Sequence, residues 1–207
     1  MRVLGLELST GSGSIAMSDE TGERFCRSFA NDRKHSGAFY ESVESCLQHC
    51  GVPEKIVVGL GPGSYAGIRI AIATAIGLAA ATAATLVGVP SICAMATAAR
   101  EYLAIGDARR NSFFYAYIVD DRCVEGPVLF SAEELSDRLA VSRIPIYASS
   151  QLPAFPRAVT MHPSASRLVS LAQKHCDLYS PAPILEPIYL REPHITIPKF
   201  SSRAFRK

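Results

Sequence analysis

Two glycines and a serine at a strand-to-helix junction form the pattern in this sequence that best fits anion binding. Gly61 and Gly63 follow a short apolar run, and Ser64 precedes a long apolar segment. Free N–H groups and the helix dipole at such a junction attract phosphate. The dinucleotide, P-loop and serine-hydrolase motifs are all incomplete here, and Pro62 removes one N–H donor from the turn. Two interpretations stay open, a vestigial phosphate loop and a purely structural turn.

The first predicted strand ends in a carboxylate beside two hydroxyl groups. Glu7 stands just before Ser9 and Thr10, a set that could orient a magnesium ion or a water molecule near a nucleotide. The same arrangement is an ordinary capping pattern, which we favour. The candidate phosphate loop therefore comprises Glu7, Ser9, Thr10, Gly61, Gly63 and Ser64.

No other set of residues predicts catalysis. The histidines and cysteines lack the spacing of metal ligands, and no nucleophile can be paired with a base. We therefore predict no catalytic residue, no metal and no cofactor.

The composition is that of an ordinary globular protein. Apolar residues make up 48% and charged residues 19% of the 207 residues, which is enough to build a sizeable core. The net charge of +2 lacks the strong positive field of a dedicated nucleic-acid binder. The N-terminal residues do not have the pattern of an export signal, so we expect a cytoplasmic protein.

The order of predicted elements indicates an α/β protein with two lobes. Residues 1–101 are predicted to run β-β-β-α-β-α-β-α, the last helix covering residues 91–101. Residues 102–191 repeat a similar order in a smaller second lobe, and residues 192–207 form a basic tail. A meander followed by βαβ units predicts mixed sheets flanked by helices.

The helix predicted over residues 65–84 is almost entirely apolar. No charged residue occurs from Ile70 to Val89, a length that would just span a bilayer. The segment is rich in alanine and threonine, however, and Gly88 and Pro90 interrupt it. We therefore predict a helix outside the membrane that must be covered on both sides, by its own sheet and by a partner.

The turn and the start of this helix also carry a family signature. Residues 61–70, Gly-Pro-Gly-Ser-Tyr-Ala-Gly-Ile-Arg-Ile, resemble the Gly-Pro-Gly-Ser-aromatic-Thr-Gly-aliphatic-Arg signature of the bacterial TsaB (YeaZ) family. Supporting marks follow in the expected order over residues 1–191. They are Glu7-Leu8-Ser9-Thr10, His35-Ser36, Asp107-Ala108-Arg109 and Pro187-Ile188-Tyr189-Leu190-Arg191.

The resemblance implies a two-lobed actin-like ATPase (ASKHA, ribonuclease H-like) fold and a role without catalysis. Members of this family pair with TsaD, which transfers a threonylcarbamoyl group to N6 of adenosine 37 in tRNAs that read codons starting with A. An ATPase, TsaE, joins the pair. The resemblance thus implies a TsaD-like and a TsaE-like partner, with tRNA reached only through the complex.

Three departures from the family pattern weaken nucleotide binding and leave the scaffold role intact. Glu7 stands where the family usually has Asp, and Ala66 replaces the usual Thr of the signature. The acidic residue that usually follows the Asp-Ala-Arg mark is missing, with Asn111 and Ser112 in that region.

The main hypothesis is therefore a scaffold that binds a TsaD-like chain through its two N-terminal-lobe helices, and that forms a homodimer through the same surface when alone. Two alternatives are an independent ATP-dependent phosphotransferase of the ASKHA fold and an M22-type metallopeptidase homologue, the latter lacking the ligands it would need. The residues predicted to form the interface are Phe39, Val43, Tyr65, Ile68, Arg69, Ile72 and Ile76.

Overall fold

The computed structural model describes residues 1–31, 37–182 and 184–191, and within them two five-stranded sheets form. The first sheet has the order β3-β2-β1-β4-β5, with an antiparallel β1–β2–β3 meander and parallel β1–β4 and β4–β5 pairs. Its strands and helices are β1 (Val3–Glu7), β2 (Ser12–Asp19), β3 (Gly22–Ala30), α1 (Gly37–Cys50), β4 (Lys55–Gly59), α2 (Tyr65–Thr82) and β5 (Thr85–Val89).

The second sheet has the order β10-β9-β6-β7-β8 and again opens with an antiparallel meander. Strand β6 pairs with β9 in parallel on its other side. Its elements are β6 (Glu101–Asp107), β7 (Ser112–Val119), β8 (Arg122–Ser131), α3 (Ala132–Ala140), β9 (Ile146–Ala148), β10 (Val159–Thr160) and α4 (Ala165–Lys174).

Both faces of the first sheet are buried because its central strands β1 and β4 carry apolar side chains on both sides. Successive side chains of a strand point to opposite faces. Leu4 and Ile56 therefore join one core with α1 and α2, whereas Val3 and Val57 join another core with α4. The sheet thus separates the α1–α2 layer from α4.

Helix α4 lies between the two sheets, although it comes late in the chain. Its residues Leu168 and Val169 share one core with Val57 of the first sheet and with Ala104 and Ala116 of the second. Helix α3 covers the opposite face of the second sheet. The layers are therefore α1 and α2, first sheet, α4, second sheet, α3.

The sequence-based helix over residues 91–101 is wrong beyond its first turn. A short 3₁₀ turn, Ser91–Ala94, is followed by irregular backbone that pairs with the loop before α4. The N–H of Ala96 donates to the carbonyl of His162 (3.0 Å), and Met95 bridges to Pro163. Tertiary pairing thus takes up the backbone groups that a helix would have used. His35, Ser36 and the basic tail at 192–207 lie outside the described residues.

Candidate partner-binding surface and the glycine turn

Helix α2 begins where the sequence places its cap. Ser64 has extended backbone, and its hydroxyl accepts from the N–H of Gly67 (3.2 Å), which satisfies one free donor of the first turn. At the other end Ala83 adopts the left-handed conformation, and its N–H donates to the carbonyl of Ala79 (2.8 Å). The 18 residues between them form a rod about 27 Å long.

The glycine turn that precedes α2 packs directly against the turn after β1. A Cβ at Gly63 would overlap the carbonyl oxygen of Ser9, and the N–H of Ser64 donates to that oxygen (2.6 Å). The N–H of Gly61 donates to the hydroxyl of Ser91 (3.0 Å). A phosphate in front of the turn would meet a carbonyl oxygen and find two of the N–H donors already used. This geometry favours the structural turn.

Glu7 is fully buried beneath this turn. Its Oε1 accepts from the N–H of Ser9 (2.6 Å), whereas its Oε2 has no hydrogen-bond partner among the described residues. A Cβ at Gly59 would overlap Oε2, so the backbone of β4 closes over the carboxyl group. Burial raises the pKa of Glu7, against the smaller opposing effect of hydrogen bonding to Ser9. A carboxyl group so enclosed does not reach an external nucleotide.

Thr10 joins the turn after β1 to the loop that precedes α4. Its hydroxyl donates to the carbonyl of Ser12 (3.0 Å), and the same oxygen lies 3.2 Å from Nδ1 of His162. Among the residues that the structure describes, no group of three His, Cys, Asp or Glu side chains is placed to hold a metal ion.

The two sides of α2 differ in burial but hardly in polarity. The side that packs on the first sheet is made by Gly67, Ile68, Ala71, Ile72 and Ala75. The opposite side, called here the outer face of α2, has no acidic or basic residue after Arg69. It comprises Ala66, Arg69, Ile70, Ala73, Ile76, Gly77 and Ala80, all exposed except the half-buried Ile70.

The residues predicted to form the interface divide between the core and this surface. The prediction is corrected for Phe39, Val43, Ile68 and Ile72, which are at most 7% exposed and lie in the core shared by α1, α2 and the sheet. Tyr65, Arg69 and Ile76 are exposed and remain available to a partner. The apolar stripe of α1 faces its own sheet, as amphipathic helices generally do.

An aromatic and arginine cluster stands at the N-terminal end of the outer face. The Arg69 guanidinium lies 4.2 Å from the ring centroid of Tyr65, and its Nε donates to the hydroxyl of Tyr189 (2.8 Å). The rings of Tyr65 and Tyr189 are stacked with centroids 5.5 Å apart. The N–H of Ile188 donates to the carbonyl of Leu60 (2.8 Å), which fixes this last segment over the turn. Tyr189 was not among the predicted site residues, although it belongs to the last family mark in the sequence.

Helix α2 is also long and apolar enough to cross a membrane, by length and composition alone. Core helices of water-soluble proteins pass the same test. Five of its 18 residues are buried and eight are exposed, however, so the described part of the chain leaves one side of the helix uncovered.

Comparison with protein families gives one match that spans most of the chain. The family model described as TsaD, tRNA N6-adenosine threonylcarbamoyltransferase, matches residues 30–172. An uncharacterised protein of Mycobacterium tuberculosis is 33% identical over 143 residues, which are 68% of this chain and 65% of that protein. The match therefore spans slightly less than two thirds of this relative's length.

Two further relatives bear the name TsaB and the description tRNA threonylcarbamoyladenosine biosynthesis protein. The Escherichia coli protein is 29% identical over 126 residues, 56% of this chain and 54% of the relative. The Haemophilus influenzae protein is 26% identical over 132 residues, 59% of this chain and 56% of the relative.

Among solved structures, YeaZ from Pseudomonas aeruginosa superposes with a TM-score of 0.70 at 21% identity, over 91% of this chain and 99% of that one. Another structure from Pseudomonas aeruginosa, of a protein described as similar to peptidase YeaZ, has a TM-score of 0.73 at 24% identity, over 92% of this chain and 99% of that one. At these identities the likeness shows the fold alone: the chain has the fold of YeaZ, and the predicted α/β class with mixed sheets flanked by helices is confirmed.

Proposed function

Because the chain belongs to the family that the threonylcarbamoyltransferase model describes, as a member of the TsaB (YeaZ) type, we propose that it is a subunit of the machinery that makes N6-threonylcarbamoyladenosine in tRNA. In this proposal the chain itself is not the catalyst. It pairs in the cytoplasm with a TsaD-like catalytic subunit, a TsaE-like ATPase joins the pair, and the assembled complex modifies tRNA.

The observation that carries the proposal is the outer face of α2, which no described part of the chain covers. An exposed apolar surface that continues along a helix is rare on monomers and is typical of a protein–protein interface. Its residues are mostly alanine and glycine, so the backbone of a partner helix can approach closely. A Cβ at Gly77 would meet no described atom within 4 Å apart from its chain neighbours and the backbone of its own helix, so this surface is open.

The edge of the same face supplies residues of the kind that dominate binding energy. Tyrosine and arginine are enriched at interface hot spots, and Tyr65, Arg69 and Tyr189 stand together there, already ordered by stacking and a hydrogen bond. Little side-chain entropy would be lost when a partner covers them.

The buried position of Glu7 and the packed glycine turn support a role without catalysis. The carboxyl group that a phosphotransferase would use is enclosed by Gly59. The turn that would cradle a phosphate rests on the carbonyl of Ser9. We therefore propose that the first sheet and its glycine turn serve as a scaffold and do not bind or transfer phosphate.

The test is co-purification of this chain with the TsaD-like protein of the same cell, followed by an assay of threonylcarbamoyladenosine formation in tRNA with and without it. We expect a stable heterodimer and modification that depends on this chain. Without the TsaD-like protein, light scattering should show a homodimer of this chain. Adding the TsaD-like protein should dissociate that homodimer, since homodimerisation and partner binding would use the same surface. Full modification activity without this chain would contradict the proposal.

A further inference from the structure

A pocket of about 450 Å³ lies at one end of the second sheet, and none of the residues that line it belongs to α1 or α2. The β6–β7 turn and the strand ends beside it, within residues 107–113, form one side, and the loop after β9, residues 150–154, forms the other. Its volume falls in the range of ordinary ligand sites.

The topology of the second sheet is typical of a ligand-binding site at the end where the pocket lies. The chain leaves β6 towards β7 and β8 on one side, whereas β9 pairs with β6 in parallel on the other side. The connections that follow the carboxyl ends of β6 and β9 therefore run to opposite sides of the sheet at the pocket. In open α/β sheets ligands bind outside the carboxyl ends of strands where the connections change direction.

The β6–β7 turn is held in a conformation that side chains rarely adopt. Arg109, Arg110 and Asn111 have φ values of 65°, 55° and 56°. The N–H of Arg109 donates to Oδ1 of Asp107 (2.7 Å), and the N–H of Ala108 donates to the carbonyl of Ser112 (2.9 Å). Consecutive non-glycine residues in this region are found where the surrounding structure enforces them, and such positions cluster at functional sites.

The pocket offers more donors than acceptors. Arg109 forms a long ion pair with Asp107 (3.5 Å), its side chain being 86% exposed. Arg110 makes no hydrogen bond or ion pair with any residue that the structure describes, which leaves its charge for a ligand. The opposite loop adds the hydroxyl of Ser150 and the amide of Gln151. Phosphate oxygens, like carboxylates, are acceptors that match the fork of donors on a guanidinium group.

An aromatic ring forms part of the pocket wall. Phe113 is partly exposed, and Phe155 holds it by an edge-on contact with ring centroids 4.9 Å apart. A fixed aromatic ring beside phosphate-binding arginines is the combination by which proteins hold single-stranded nucleic acid, because bases stack while the backbone is neutralised.

We propose that this pocket binds the phosphodiester backbone of single-stranded RNA, with Arg109 and Arg110 on the phosphates and Phe113 against a base. The choice of RNA rests on the proposed function. It is supported by the open rim of the site, where exposed arginines can follow a polymer that extends beyond the pocket. A free mononucleotide shares the phosphate chemistry and is separated from RNA by the test.

The test measures binding of a fluorescein-labelled single-stranded oligoribonucleotide to the full chain by anisotropy, from about 50 to 200 mM salt. The variant is Arg109→Asn/Arg110→Asn, because asparagine loses the charge but tolerates the left-handed backbone. The matched control is Arg143→Asn, an exposed arginine outside the pocket. Both variants keep every other basic residue, including those of the tail.

Each phosphate contact on a single strand contributes about 0.7 to the slope of log affinity against log salt. We expect the double variant to lower that slope by about 1.4, so that over this salt range the unaltered chain loses roughly sevenfold more affinity than the variant does. Arg143→Asn should keep the full slope. If the double variant does not fold, Arg110→Asn alone should lower the slope by about 0.7.

The proposal is overturned if the chain does not bind RNA at the lowest salt, or if the pocket variant and the control have equal slopes. It is also overturned if AMP displaces the RNA at micromolar concentration, since that outcome assigns the pocket to a mononucleotide. The assay contains no TsaD-like protein, so its failure is distinguishable from a failure of the proposed partnership.

Discussion

Replacing Ile76 by glutamate tests directly whether the outer face of α2 binds the partner. Full burial of an isoleucine side chain contributes about 1.5–3 kcal/mol. Ile76 is 49% exposed, so a partner that covers the rest of it gains about 1 kcal/mol, and Ile76→Ala should weaken binding about fivefold. A glutamate there leaves a carboxylate unpaired in an apolar contact. We therefore expect Ile76→Glu to weaken binding at least about a hundredfold.

Val141→Glu is the matched control for this experiment. Val141 is 87% exposed at the end of α3, outside the outer face of α2, so the same change from a β-branched side chain to a carboxylate should leave binding intact. Ile72→Glu would be a poor choice, because Ile72 is 7% exposed and a buried charge would unfold the lobe.

Calorimetry with the TsaD-like protein, light scattering of the chain alone and thermal unfolding of each variant give the readouts. If Ile76→Glu folds normally, stays dimeric and binds the TsaD-like protein as tightly as Val141→Glu does, the assignment of this face is refuted. In a twofold homodimer each substitution occurs twice, so the loss of free energy of dimerisation should be about double the loss of binding free energy for the TsaD-like protein.

Two further predictions concern the glycine turn. Glu7→Gln should gain stability relative to the unaltered chain as pH rises above about 4.3, because the carboxyl group of the unfolded chain ionises there while burial raises its pKa in the folded chain. Urea unfolding of both proteins at pH 4 and pH 7 measures this. An equal difference in free energy of unfolding at the two pH values would contradict it. Gly63→Ala should destabilise the fold by about 1–3 kcal/mol because its Cβ would overlap the Ser9 carbonyl. Gly77→Ala, in open space on α2, should stabilise the fold by about 0.5–1 kcal/mol. Similar unfolding midpoints for the two variants would contradict the close approach as the reason for a glycine at position 63.

Local patterns were sufficient to predict most elements of this fold. The Ser64 cap and the Ser131–Glu134 capping box both form as the sequence indicates. Such features depend on contacts within one turn of helix, so a single sequence contains nearly all the information they need. The family signature at 61–70 was likewise sufficient to predict the fold class.

The failures have a common physical origin in contacts between distant segments. The helix predicted over 91–101 was lost to pairing with His162 and Pro163. The phosphate-loop alternative lost support because Ser9 and Gly63, more than fifty positions apart, pack backbone to backbone. Neither partner carries a local pattern that reveals the other.

The apolar character of α2 and the prediction that a partner must cover it come from the sequence alone, because twenty residues without a charge cannot stay in water on all sides. Which side faces the sheet was decided only by the tertiary structure. A helix with almost no polar residues has no polar stripe to orient it, so its small and large apolar side chains are sorted by fit against the sheet. The same packing buries Ile68 and Ile72, leaves Ile76 exposed, and brings Tyr189 from the far end of the chain beside Tyr65 and Arg69.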